Sequence, residues 1–153
     1  MKLNVRPATP EDAESISKLS KEFMEYLRSL GDTGEAWITP ELYLNEGFGP
    51  NPAFAGLVTE NKGKIVGYLL YHQGFDADYL IRTLHIIDLY VQEKSRRYGA
   101  GRKLMENAAG ICRRMGGKQL FWSVYTKNKP ALAFYKSLGA RFTKDLLFMR
   151  LDL

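Results

Sequence analysis

In 153 residues there is one cysteine, Cys112, and only two histidines, His72 and His85. A single cysteine cannot close an internal disulfide, and three such residues scattered along the chain offer no metal-ligand spacing, so no metal is expected. Cys112 falls on the apolar face of a helical pattern, which points to a buried structural thiol rather than a nucleophile. No apolar run approaches the roughly 20 residues that a membrane span needs. The opening Met-Lys-Leu-Asn-Val-Arg lacks the apolar core of a signal peptide. Repeats, low-complexity tracts and linkers are absent as well. The expectation is one cytoplasmic domain over residues 1–153, long enough to bury a substantial core and with no membrane partner.

What the sequence has in excess is positive charge, and it is unevenly placed. The formal net charge is +5. Residues 1–93 carry net −6, residues 94–118 carry net +7, and residues 119–153 carry net +4. The basic excess therefore gathers in one short segment instead of a continuous stripe, which argues against a nucleic-acid partner and for a compact anionic ligand.

Along the chain, Lys2 to Arg6 reads as an edge strand. Thr9-Pro10-Glu11-Asp12 supplies an N-cap hydroxyl, proline at the first helical position and acids in the first turn. Ile16, Leu19, Phe23, Tyr26, Leu27 and Leu30 follow at helical spacing. Thr39-Pro40-Glu41 opens a second, shorter helix. Residues 54–60 and 64–73 are two strands joined by Asn61-Lys62-Gly63, and a central strand covers about 80–92. A helix with Leu104, Met105, Ala108, Cys112 and Met115 on one face comes next. Then come a strand over 119–125, a helix over about 128–138 stopped by Gly139, and a final ribbon through Phe142 and Leu146 to Leu151. The order β-α-α-β-β-β-α-β-α-β-β implies a mixed, mainly antiparallel α/β sheet flanked by helices.

The stretch from Leu84 to Met105 organises the rest. An apolar strand passes through a charged turn and reaches Gly99 and Gly101 where a helical period begins. The first N–H groups of a helix have no intrahelical partner, the macrodipole puts positive charge there, and glycine allows close approach, so an anion such as a diphosphate suits the junction. Arg96, Arg97, Arg102 and Lys103 add full charges. Two phosphate motifs do not fit. A Walker A loop needs Gly-Lys-Ser/Thr, and a dinucleotide fingerprint needs a small residue at Leu104 and an acid some 20 residues on. An ordinary strand-to-helix turn with solvated arginines is the bland alternative.

Arg96-x-x-Gly99-x-Gly101 after Asp-Leu-Tyr-Val resembles the coenzyme A loop of the GNAT superfamily of N-acetyltransferases. Asn128-Lys-Pro-Ala-Leu-Ala-Phe-Tyr135-x-x-x-Gly139 resembles the second signature of that superfamily, in the expected order. With Leu-Tyr-Leu-Asn-Glu-Gly-Phe-Gly at 42–49, nearly the whole chain is similar to the diamine (spermidine/spermine) N-acetyltransferase branch. The resemblance implies the GNAT fold and acetyl-CoA as co-substrate. It implies that Leu89, Tyr90 and Val91 on a bulged strand, together with Arg96, Arg97, Tyr98, Gly99, Ala100, Gly101 and Arg102, hold the coenzyme. Asn128 and Ala131 would meet its pantetheine arm. Tyr135 would be the general acid that protonates the departing sulfur, although its ring could simply pack at a boundary. A homodimer is also implied.

The reaction would be direct attack of a neutral amine on the thioester. The developing negative charge needs a fixed N–H donor, by resemblance that of Leu89 or Val91. A phenol near pKa 10 can protonate a thiolate whose conjugate acid lies near 8.5 at modest cost. Asp88, His85 and Glu35 are candidates to take the amine proton. Tyr26, Glu35 and Asp88 are the candidate acceptor-binding residues. Two departures from the branch stand out. Ile87 precedes Asp88 where an acid is common, which weakens the case for a polyamine, and Arg97-Tyr98 replaces the usual Gly-x. The acceptor is read as a small molecule with a primary amine. A protein N-terminus or lysine as acceptor, and a non-catalytic coenzyme A binding module, stay open.

Overall fold

A computed structural model of the chain describes residues 2–153. It divides into two compact units, Met1–Ser123 and Val124–Leu153. In the first, five strands lie in sequence order: β1 (Leu3–Pro7), β2 (Ala55–Asn61), β3 (Lys64–Asp76), β4 (Ile81–Val91) and β5 (Gln119–Phe121). The first four form an antiparallel meander and β5 joins β4 in parallel. The mixed, mainly antiparallel sheet read from the sequence is therefore present.

Helix α1 (Ala13–Ser29) follows a single 3-10 turn at Pro10–Asp12, and α2 is Pro40–Phe48. Both start where the Thr-Pro signals place them: Asp12 accepts from the Thr9 N–H at 2.8 Å, and Thr39 Oγ1 accepts from the Leu42 N–H at 3.2 Å. Ile16, Leu19 and Tyr43 from these helices pack with Val58, Tyr68, Leu70 and Tyr90 of the sheet. Helix α3 (Ala100–Arg114) takes the other face, where Ala100 meets Leu3, Val66 and Val91. Tyr90 and Val91 thus point to opposite sides, as the pleat requires. Cys112 is buried on α3 and its Sγ donates to the Gln119 carbonyl, the structural role expected for it.

Asp12 anchors the entry to α1. Arg6 grips it through two nitrogens at 2.8 Å each and also donates to Glu60 at 2.9 Å. Burial alone would push the Asp12 carboxyl up, but Arg6 and the Thr9 N–H hold it below its ordinary value.

The second unit holds α4 (Lys129–Ser137) and a tail. Asn128 caps α4 by accepting from the Ala131 N–H at 3.3 Å, and Gly139, at φ +85°, closes it. Two strand expectations need correction. Strand β5 stops at Phe121 rather than residue 125, because only Gln119–Phe121 register with β4. The final ribbon over 142–151 is not a strand: residues 140–153 make no ladder. Leu146, Leu147, Phe148, Met149 and Leu151 stand exposed along it. Apolar alternation favours extended chain, but strand form also requires main-chain pairing, which residues 140–153 do not make.

Candidate functional site

The two edges of β4 are unlike. Toward β3 it is registered from Ile81 to Val91, whereas toward β5 only Thr83, Leu84 and His85 have partners. The Gln92 N–H donates to the Val66 carbonyl at 2.9 Å, on the β3 side. Antiparallel ladders alternate, so the N–H groups of Val91 and Leu89 turn the other way, toward the stretch of edge that β5 does not reach.

A bulge accompanies this opening. Leu70 and Tyr71 of β3 face Asp88 and Ile86 of β4, which leaves Ile87 as an extra residue, 44% exposed. The extra residue turns Asp88 onto the side where Tyr68 lies, and the Tyr68 hydroxyl donates to its carboxylate at 2.5 Å. Burial raises the Asp88 carboxyl to about 6, against the pull of Tyr68 and the Leu89 main chain. The Tyr68 phenol is pushed well above its ordinary value by burial and by Asp88. This is a half-buried carboxylate that takes up a proton more readily than an exposed one.

Past Val91 the chain makes the turn into α3. Arg96 is folded back: its Nε donates to the Val91 carbonyl at 2.9 Å, and its guanidinium lies 4.8 Å over the Tyr26 ring and 5.5 Å over that of Tyr90. Arg97 and Gly99 adopt left-handed φ values of +66° and +85°. The first intrahelical bond of α3 runs from the Lys103 N–H to the Gly99 carbonyl at 3.0 Å, so the main chain just ahead of it presents the helix's positive end. A Cβ built on Gly99 would meet nothing within 4 Å, so the turn opens to space.

The model for the acetyltransferase (GNAT) family matches residues 16–140. The chain belongs to that family. It is 32% identical over 145 residues to the thialysine N-epsilon-acetyltransferase of Sus scrofa, covering 90% of this chain and 83% of the relative. It is 27% identical over 143 residues to the human spermidine/spermine N(1)-acetyltransferase-like protein 1, covering 89% of this chain and 20% of that protein. Among solved structures, a V. cholerae integron cassette protein superposes with a TM-score of 0.80 over 99% of this chain and 93% of that one, at 22% identity. The resemblance to the diamine branch is thus met, and the chain is a GNAT acetyltransferase acting on amine acceptors.

For a GNAT acetyltransferase, several expected residues fall together. Leu89, Tyr90 and Val91 lie on the opened stretch of β4, Arg96 through Arg102 make the turn and first helical residues, and Tyr26 is held against Arg96. Glu35 is elsewhere in character: it is 81% exposed on its side chain and paired with Arg28 at 3.0 Å. In the second unit, Asn128 is 6% exposed and spends its Oδ1 on the cap, and Tyr135 sits on α4 with its ring 5.2 Å from that of Phe134. Lys103, read as one of the charges of the turn, instead donates to the Leu3 carbonyl at 3.2 Å. A cavity of about 730 Å³, walled by Arg6, Lys18, Glu60, Lys64 and Gln92, includes none of the expected site residues.

Sequence reading did not pair Asp88 with Tyr68, nor His85 with His72, whose ring nitrogens are 2.8 Å apart. The turn at Asp76 to Ile81 fixes His72 opposite His85, so that pairing was available from the hairpin register. The Tyr68 contact was not, because it depends on the bulge.

Proposed function

We propose that this chain transfers an acetyl group from acetyl-CoA to a primary amine of a small, lysine-like acceptor, by direct attack with both substrates bound. The observation that carries this reading is the opened edge of β4, where the Leu89 and Val91 N–H groups face no strand, running straight into the Arg96–Gly101 turn at the head of α3. The arrangement suits an extended acyl carrier. Acetyl-CoA supplies an acetyl group already activated as a thioester. Main-chain donors at the start of α3, with Arg97 and Arg102, hold a diphosphate. The Leu89 or Val91 N–H holds the carbonyl oxygen and stabilises charge that develops there, at no reorganisation cost. Asn128 and Ala131 act on the pantetheine arm, and Tyr135 protonates the departing sulfur.

Asp88, of the three groups considered, is the best suited to take the amine proton. It is a half-buried carboxylate on the bulged strand with a raised pKa. His85 is committed to His72, and Glu35 is solvated and paired. Ile87 bears on the acceptor. As the exposed bulge residue it sets an apolar side chain beside Asp88, where a second ammonium would gain nothing. That favours one terminal amine on a partly apolar chain, in keeping with the relative named for thialysine.

Thiol release from acetyl-CoA, measured with thialysine, lysine, ornithine, spermidine and a peptide bearing lysine, tests the reading. The expected order of kcat/KM places the lysine-like amino acids first. No release with any of these amines, in protein whose Tm acetyl-CoA does not raise, would overturn it. Acetyl-CoA should raise Tm by mass action, and Gly99→Asp, which sets bulk and like charge at the diphosphate, should abolish that rise.

A further inference from the structure

The two histidines come together at the root of the β3–β4 ribbon. His72 is the first residue of β3 past its pairing with β2, and His85 is the last residue of β4 paired with β5. They are direct cross-strand partners, with His85 Nδ1 2.8 Å from His72 Nε2, rings at 84° and centroids 4.7 Å apart. His72 Nδ1 lies 3.0 Å from the Gln73 carbonyl. A carbonyl only accepts, so this nitrogen carries the hydrogen, and in the neutral ring Nε2 presents its lone pair to His85. A ring N–H given to a main-chain carbonyl is the outer-shell contact that orients metal-ligating histidines.

From this geometry we propose that His72 and His85 form a two-imidazole site for a divalent late transition metal of tetragonal preference, Cu(II) or Ni(II). Ligand nitrogens about 2.05 Å from a metal are about 2.9 Å apart when cis in a square plane and about 3.3 Å apart in a tetrahedron. The observed 2.8 Å matches the first and is short of the second. The metal binds to one side of the line joining the two nitrogens, each ring turning to aim its lone pair at the ion, and the hydrogen that stood between them moves to His85 Nε2, so both rings stay neutral. Among the described residues no set of three His, Cys, Asp or Glu side chains converges on one point, so water fills the remaining positions and the ion exchanges readily. Bound there, it clips the two strands together at the base of the ribbon that closes through Asp76 to Ile81.

Calorimetric titration of the full chain with NiCl2, CuSO4 and ZnCl2, together with electron paramagnetic resonance of the Cu(II) form, tests this. One ion per chain is expected, with Ni(II) and Cu(II) binding more tightly than Zn(II), nitrogen hyperfine coupling from two imidazoles, and a Tm raised by Ni(II). His72→Gln and His85→Gln should each weaken binding by more than about tenfold. His72 is exposed, so its variant is expected to keep the wild-type circular dichroism and serves as the control for folding. Unchanged affinity in His72→Gln, a single-nitrogen Cu(II) spectrum, or tightest binding of Zn(II) would each overturn the proposal.

Discussion

The two edges of β4 carry the same backbone and do opposite work. Facing β3, every residue from Ile81 to Val91 except Ile87 has a registered partner, and the edge is closed by main-chain bonds and by packing against α1 and α3. Facing β5, strand pairing ends at His85, and the main-chain donors beyond it have no strand partner on that side. One edge therefore holds the sheet together while the other keeps main-chain donors that the ladder does not use. Substitutions that act on the open side should change rates and leave stability alone, and those on the paired side the reverse.

The largest separation is expected from Tyr135→Phe. If its hydroxyl protonates the departing sulfur, kcat falls roughly a hundredfold or more while the urea midpoint stays where it was. Equal loss of rate and stability would place Tyr135 among packing residues instead.

Asp88→Asn should break the pattern in an informative way, because Asp88 sits beside the open edge yet is hydrogen-bonded to the buried Tyr68. Its carboxyl is raised to about 6 from 3.8, so between those values the folded chain holds a proton that the unfolded chain has lost. Stability from this group is therefore greatest at low pH and declines as pH rises from about 4 to about 6. Asn keeps an acceptor for Tyr68 and carries no charge. Denaturant melts should find Asp88→Asn more stable than wild type by about 3 kcal/mol at pH 7, with the difference vanishing toward pH 4, while acetyl transfer falls.

On the paired side, Gly67→Ala should cost about 2 kcal/mol, read from the urea midpoint. A Cβ there would lie 2.8 Å from the Tyr90 carbonyl oxygen and 3.0 Å from side-chain carbons of Thr59 and Val91. The KM for acetyl-CoA should hold.

The smallest effect tests the turn. Arg97 departs from the glycine usual in the branch, yet keeps a left-handed φ of +66°, which strains a residue with a Cβ. Arg97→Gly should raise stability by about 1 kcal/mol and lower affinity for acetyl-CoA through the lost charge, both measurable by thermal shift with and without ligand.

Much of this arrangement was legible in the sequence for identifiable reasons. Thr9 and Thr39 announced α1 and α2 through capping chemistry that acts locally, and Gly99 marked the head of α3 because few other residues accept that conformation. Turn residues set the β3–β4 register up to Tyr71 and Ile86. Beyond that point local signals gave out. Ile87 is an unremarkable β-branched residue that could occupy any strand, so nothing in its type disclosed that it stands outside the ladder, and the Tyr68–Asp88 bond could not be foreseen. The tail failed for a related reason: an alternation from Phe142 to Leu151 states a preference for extended chain, but a strand also needs a partner, which lies outside such a pattern.

That single unpaired residue has a consequence for how the strand could have evolved. Side chains along a strand obey an odd-even rule, and Ile87 resets the count at the midpoint of β4. Draw it into the ladder, so that it pairs with Leu70 and the register slips by one, and everything downstream would swap sides: the Asp88 carboxylate would leave the face of Tyr68, and the Leu89 and Val91 N–H groups would turn toward β3. The chemistry of this strand is thus encoded less by which residues it contains than by one of them standing outside the ladder.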